Sequence, residues 1–182
     1  CGMAAKVKYR QIVRDLALDR YGYVTTKDAV TAGVPAVELP KLAARGGLEN
    51  VAYGLYRVPD VPVTAFDQFA EALFRAGKGA YLHGESVLAL LGLADVNPRR
   101  IKVAIPRRVR SKLPAFIELT RVDGDLRTTL YEGLPAQPLV DAILECRGRV
   151  ETEPLLAAAG QARAGGLLTT AEWQRVRKGL RS

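Results

Sequence analysis

The chain has 182 residues, 48% of them apolar, enough to bury a sizeable core in one large domain or two small ones and too apolar for a disordered chain. Its 27 Lys and Arg against 19 Asp and Glu leave a net charge of +8, a balance that draws the protein to phosphate backbones or acidic surfaces without choosing between them. Two cysteines, Cys1 and Cys146, give neither a disulfide framework nor a metal cluster, and the longest apolar run, residues 87–93, falls well short of the roughly 20 residues a membrane span needs.

A cytoplasmic protein with no signal peptide, no membrane contact and no cofactor is therefore expected. Cys1-Gly2 ahead of Met3 reads as a leftover of recombinant expression and is set aside. Val7, Ile12, Val13, Leu16 and Ala17 then recur at helical spacing, with Lys8, Arg10, Arg14 and Asp15 on other faces, which predicts a first helix over residues 7–18. "RYGYVTTKDAV" predicts a turn at Gly22, an extended pair at Tyr23 and Val24, and a second helix from about Thr26. Thr25, followed three residues later by Asp28, resembles a capping box with Asp in place of Glu. Gly33 stops that helix. Pro35 suits the first turn of a third, where its missing N–H would be unsatisfied anyway. This helix is expected to run to about Arg45, with Val37, Leu39 and Leu42 on its core face and Lys41 and Arg45 sharing one side.

Gly46-Gly47 ends the third helix, and "LENVAYGLYRVP" reads as strands 48–51 and 55–58 joined by a tight turn at Tyr53-Gly54, closed by Pro59. Helix, helix, short turn, helix and hairpin is the order of a winged helix-turn-helix. The hairpin would be the wing, touching backbone or minor groove while the third helix enters the major groove. Other small α+β modules share the order, and charge does not separate them, since residues 1–62 carry nine Lys or Arg and six Asp or Glu.

The wording of the stretch adds to its order. "YVTTKDAVTAGVPAVELPKLAARGGLENVAYGLYRVP", residues 23–59, resembles the N-terminal winged helix of AbiEi-family antitoxins of type IV toxin–antitoxin systems. Their pattern runs as a Thr-started helix, Ala-Gly-Val, a helix with Leu and Arg-Gly near its end, then Leu, Val, Gly-Val-Tyr and Pro. The resemblance implies a bacterial two-gene operon whose antitoxin binds inverted repeats in its own promoter as an autorepressor and neutralises a nucleotidyltransferase-like toxin. Family members often carry Ser, Thr or Arg at the start of the third helix, where this chain has "VPAVELP", with Glu38 and a second proline, Pro40. Pro40 removes a donor and is expected to shorten or bend that helix.

"VPDVPVT", residues 58–64, is the expected linker, placing a winged-helix DNA-binding domain at 3–60 and a C-terminal antitoxin domain at 64–182. Beyond it Phe66, Phe69, Ala70, Leu73 and Phe74 form a helical stripe ended by Gly77, and "HGESVLALLGL" predicts a helix from about Gly84 to Gly92. Residues 101–105 and 116–122 alternate as strands with their charged residues pointing outward. Three terminal helices follow, the last capped by Thr169 or Thr170. The predicted class is α+β: an N-terminal winged helix-turn-helix followed by a mixed α/β C-terminal domain with terminal helices. "LHGESVLALLGL" and "VAIPRR" resemble the C-terminal region of the same family.

The candidate DNA-contacting residues are Lys27, Lys41 and Arg45, with Asn50 and Tyr53 on the wing. "RRIKVAIPRRVRSK" holds seven cations and no acid: Arg99, Arg100, Lys102, Arg107, Arg108, Arg110 and Lys112. It reads as a surface for nucleic acid or for an acidic toxin, or as a solvated face of an already basic protein. His83, the only histidine, stands beside Glu85 and Ser86 and is expected to bond local backbone at a helix entry. Ser86 has neither a second histidine nor a Gly-x-Ser-x-Gly elbow, "RAGKGA" lacks the leading glycine and the Ser/Thr of a phosphate loop, and Asp123 and Asp125 read as a β-turn. No catalytic or metal site is expected. Two functions remain open: an antitoxin acting as a possible dimer on double-stranded DNA and countering its toxin directly or indirectly, or a transcription factor whose second domain serves dimerisation or sensing.

Overall fold

The computed structural model describes residues 2–124 and 126–182, with side chains described from residue 8, so Cys1 and Asp125 lie outside the described residues. The chain divides into two compact units, Cys1–Arg75 and Ala76–Ser182. Among the described residues no helix is long and apolar enough to cross a membrane.

The first unit runs α1 (Gly2–Leu18), β1 (Tyr23–Thr25), α2 (Thr26–Thr31), α3 (Glu38–Ala44), β2 (Glu49–Ala52), β3 (Leu55–Arg57) and α4 (Asp67–Ala76). The strands form an antiparallel sheet in the order β1-β3-β2, with Tyr23 opposite Arg57 and Thr25 opposite Leu55. One core joins the elements: Val13 and Ala17 of α1, Val24, Ala29, Val34, Leu39, Leu42, Leu48 and Tyr56 are all buried together. This is the winged helix-turn-helix the sequence predicts.

Local chemistry explains the element ends. Thr25 Oγ1 accepts from the Asp28 amide at 3.1 Å, the first half of the expected capping box. Asp28 does not complete it: its carboxylate lies 3.1 Å from Arg20 instead. Helix α3 is shorter than expected, because Pro35 and Ala36 form a turn ahead of it, their carbonyls accepting from the Glu38 and Leu39 amides at 3.0 and 3.2 Å. Pro40 thus occupies the third helical position, where an N–H has no partner inside the helix and its loss costs no bond. Val37, expected on the core face, is 65% exposed, since the burial phase set by Leu39 and Leu42 turns it outward.

The wing carries a bulge. Asn50 faces Tyr56 and Ala52 faces Leu55, which leaves Val51 unpaired on its strand. The freed Val51 carbonyl accepts from Arg75 of α4 at 3.1 Å. Gly54 holds the tip at φ +69, a left-handed turn that suits glycine.

Helix α4 packs with the first unit, so the contacts divide after Arg75 and not in the expected linker. The reason is a buried ion pair: Arg57 Nη2 lies 2.9 Å from Asp67 Oδ2, with each side chain 10% exposed. The same guanidinium donates to the Val58 and Val61 carbonyls at 3.2 and 3.0 Å, and Asp67 accepts from the Thr64 amide and hydroxyl. Phe74 of α4 stacks at 5.8 Å from Tyr23.

The second unit contains β4 (Tyr81–Leu82), α5 (Glu85–Leu90), β5 (Ile101–Ile105), β6 (Ile117–Arg121), β7 (Thr129–Tyr131), β8 (Leu134–Ala136), α6 (Leu139–Glu145), α7 (Thr152–Ala164) and α8 (Thr170–Arg181). Its five-stranded sheet has the order β6-β5-β4-β8-β7. Pairs β5·β6 and β4·β8 are parallel, and β4·β5 and β7·β8 antiparallel. The two-residue β4 and the β7·β8 hairpin were not predicted, because neither is long enough to show alternation. Thr169 caps α8 in a full capping box with Glu172. Gly179 lets α8 lie against Leu144, which a side chain there would strike.

Removing the Asp67 carboxylate leaves Arg57 buried without its counter-charge, so Asp67→Ala is expected to destabilise the first unit by about 3 kcal/mol. Urea denaturation followed by far-ultraviolet circular dichroism, with hydrogen exchange read at residues 55–57, measures it; unchanged stability would show the pair to be dispensable.

Candidate nucleic-acid interface

The five candidate DNA-contacting residues, Lys27, Lys41, Arg45, Asn50 and Tyr53, all lie in the first unit and are all exposed. Tyr53 stands fully in solvent at the wing tip, at 106% exposure. The wing tip is joined to the start of α2, because the Thr26 amide donates to the Gly54 carbonyl at 2.9 Å. Lys27 therefore follows directly on a residue bonded to the wing turn.

On α3, Val37, Pro40, Lys41 and Ala44 are exposed while Leu39 and Leu42 are buried, so one stripe at helical spacing faces solvent and its opposite anchors the helix. Arg45 caps the C-terminal end of α3. Lys41 Nζ lies 3.2 Å from Glu38, a pair one turn long with Lys41 54% exposed, so its ammonium exchanges readily onto a competing phosphate.

Six of the seven residues of the basic stretch are exposed: Arg99, Arg100, Arg107, Arg108, Arg110 and Lys112. Lys102 is not. All five residues of β5 are buried, because the strand lies inside the sheet between β4 and β6 and is covered on both faces. Lys102 Nζ is held 3.1 Å from Glu85, which removes it from any interaction surface. Arg107 is partly committed as well, donating to the Lys78 and Ala76 carbonyls at 3.2 and 3.3 Å, and Arg100 donates to Ala115 at 2.9 Å. Arg99, Arg108, Arg110 and Lys112 are left to define the exposed charge.

His83 departs from expectation. It is buried, and its Nδ1 lies 2.8 Å from Glu145 Oε2 on α6, a partner 62 residues away that no local reading finds. The hydrogen bond from His83 holds the Glu145 carboxyl below the usual glutamate range, opposing the effect of burial. Gly84 beside it takes φ +56 and donates to Gln137 Oε1 at 3.0 Å, and a side chain at Gly84 would run into the Glu145 carboxylate. Ser86 is fully buried, its hydroxyl accepting from the Lys102 amide at 2.7 Å, so it is engaged as an acceptor on the sheet and points at no histidine. Burial pushes the neighbouring Cys146 thiol up to about 12, which keeps it protonated and unreactive. These groups form a structural polar cluster joining β4, β5, α5 and α6.

Comparison with known proteins bears on the first unit most directly. Residues 11–59 match the family described as a transcriptional regulator, AbiEi antitoxin. Among solved structures, the RV2827C protein from Mycobacterium tuberculosis is similar in fold, with a TM-score of 0.50 and 21% identity over 93% of this chain and 74% of that one. No curated protein matches the sequence. The matched segment opens within α1 and closes just past β3, so the similarity to the AbiEi antitoxin family of transcriptional regulators takes in the helix-turn-helix and the wing together.

Proposed function

We propose that the protein is the antitoxin of a bacterial toxin–antitoxin operon, binding inverted repeats in its own promoter as an autorepressor and neutralising a nucleotidyltransferase-like toxin. The observation that carries this reading is the coincidence of the family match with a winged helix whose third helix and wing each present exposed residues, Lys41 and Arg45 at the helix and Tyr53 at the wing tip. In such a domain the third helix lies in the major groove and the wing follows the adjacent backbone. One domain spans about a half-site, so two copies on an inverted repeat, one helical turn or a multiple apart, supply a useful affinity.

The second unit takes the antitoxin role. Arg99 precedes β5, and Arg108, Arg110 and Lys112 lie in the loop between β5 and β6, whose five-residue parallel pairing anchors the two ends of that loop. Cations gathered on one exposed segment favour an acidic surface. Because the winged helix already supplies a surface for DNA, that acidic surface is assigned to the toxin. Nothing in the polar cluster around His83 calls for catalysis, and neutralisation by binding is the simpler chemistry.

Two outcomes are expected. Lys41→Ala with Arg45→Ala weakens binding to the upstream DNA of the protein's own gene, across sequences alike, and lowers the salt slope by about 1 for each lost phosphate contact. Fluorescence anisotropy over a salt series reads this, and parental binding by the double variant would remove α3 from the interface. Arg108→Glu with Arg110→Glu leaves promoter binding intact but abolishes rescue of growth when the adjacent gene is co-expressed. Weakened promoter binding would move these residues to DNA, and full retention of both activities would return them to a solvated face.

A further inference from the structure

Between Ala29 and Val37 the only side chain able to form a hydrogen bond is that of Thr31, and its hydroxyl is already donating to the Lys27 carbonyl at 2.9 Å. The remainder is Ala29, Val30, Ala32, Gly33, Val34, Pro35, Ala36 and Val37. Several of these are in solvent: Val30 is 50% and Val37 65% exposed, and Pro35 and Ala36 are exposed in the turn. The outward stripe of α3 continues the pattern, with Pro40 and Ala44 flanking Lys41. The end of the helix-turn-helix that reaches base edges therefore carries aliphatic groups where hydrogen-bonding side chains usually read sequence.

Exposed aliphatic groups at this place need an apolar partner, and the charge around them says which kind. Lys27 on α2, and Lys41 and Arg45 on α3, bracket the stretch with cations, the arrangement that fits a groove walled by phosphates. The major groove of DNA offers one prominent apolar group, the C5-methyl of thymine.

Building on the DNA-binding reading above, we propose that Val37 and Pro40 determine specificity by packing against thymine methyl groups, so that the operator half-site is read by aliphatic contact. Val37 sets this more than Pro40, because its branched side chain ends in two methyl groups and is 65% exposed. The cations hold the duplex, and the methyl contacts choose its register.

The test uses the full chain and a duplex recovered by selection from a random-sequence pool, then remade with deoxyuridine in place of thymidine. This substitution removes the methyl group and leaves every hydrogen-bonding edge in place. Binding is expected to weaken about fourfold for each contacted thymine, the worth of one buried methyl. Val37→Ala should lose most of that difference, weakening the thymidine duplex and leaving the deoxyuridine duplex nearly unchanged; a structural role for Val37 would lower both alike. Equal affinity of the parent for the two duplexes would overturn methyl recognition while DNA binding stands. Absence of salt-dependent binding to either would overturn the DNA reading and this inference with it.

Discussion

The buried pair of Arg57 and Asp67 is the contact on which the first unit depends. Arg57 ends β3, the central strand, and its guanidinium is used three ways: on the Asp67 carboxylate and on two carbonyls of the segment that leaves the sheet. A charge this deep is tolerated only when its donors are filled. By filling them, the chain from Val58 to Asp67 is fixed against the sheet and α4 is brought in behind the wing. The bulge at Val51 completes the arrangement, since the carbonyl it frees is taken by Arg75 on the same helix. The wing is thus joined to β1 in a three-stranded sheet and tied to α4 through Arg75, and does not stand alone as an isolated two-stranded hairpin, which would be marginal in water.

The second unit solves a different problem with similar means. Its central strands are short and mixed in direction, and polar residues lie among them where an apolar core would be simpler. Each has a partner from another element: Lys102 with Glu85, the Lys102 amide with Ser86, Gly84 with Gln137, and His83 with Glu145. A set of this kind ties α5 to β5 through Glu85 and Ser86 and the end of α6 to His83, because a slide would leave Lys102, Ser86 or His83 buried without these partners.

Much of the first unit was legible in the sequence because its signals are local. Thr25 as a cap, Gly54 in the hairpin turn and the Leu39/Leu42 face each depend on neighbours within a few residues. Where the reading failed, the deciding contact was distant or a phase was misjudged. The linker gave way to α4 because the Arg57–Asp67 pair is invisible without tertiary structure, and Val37 was assigned inward because Pro35 was given the first helical turn that belongs to Glu38. Lys102 was placed on a surface by the alternation of "IKVAI", a pattern that holds only when one face of a strand meets water. His83 found its partner in a different helix. For the candidate interface, exposure could be anticipated for Lys27, Lys41, Arg45, Asn50 and Tyr53, but not the tie between the wing tip and the start of α2.

The two prolines near α3 leave a mark on how the protein holds its target. The amides of Glu38 and Leu39 are turned inward onto the carbonyls of Pro35 and Ala36, and Pro40 has none. The entry to the helix therefore offers no row of free backbone amides with which to clasp a phosphate in one fixed place. On the proposed function, what remains for a phosphate is the long, rotatable side chains of Lys41 and Arg45. On the DNA-binding function proposed above, such a grip would let the protein shift along a duplex by short steps and rest where the base sequence adds something that the backbone cannot.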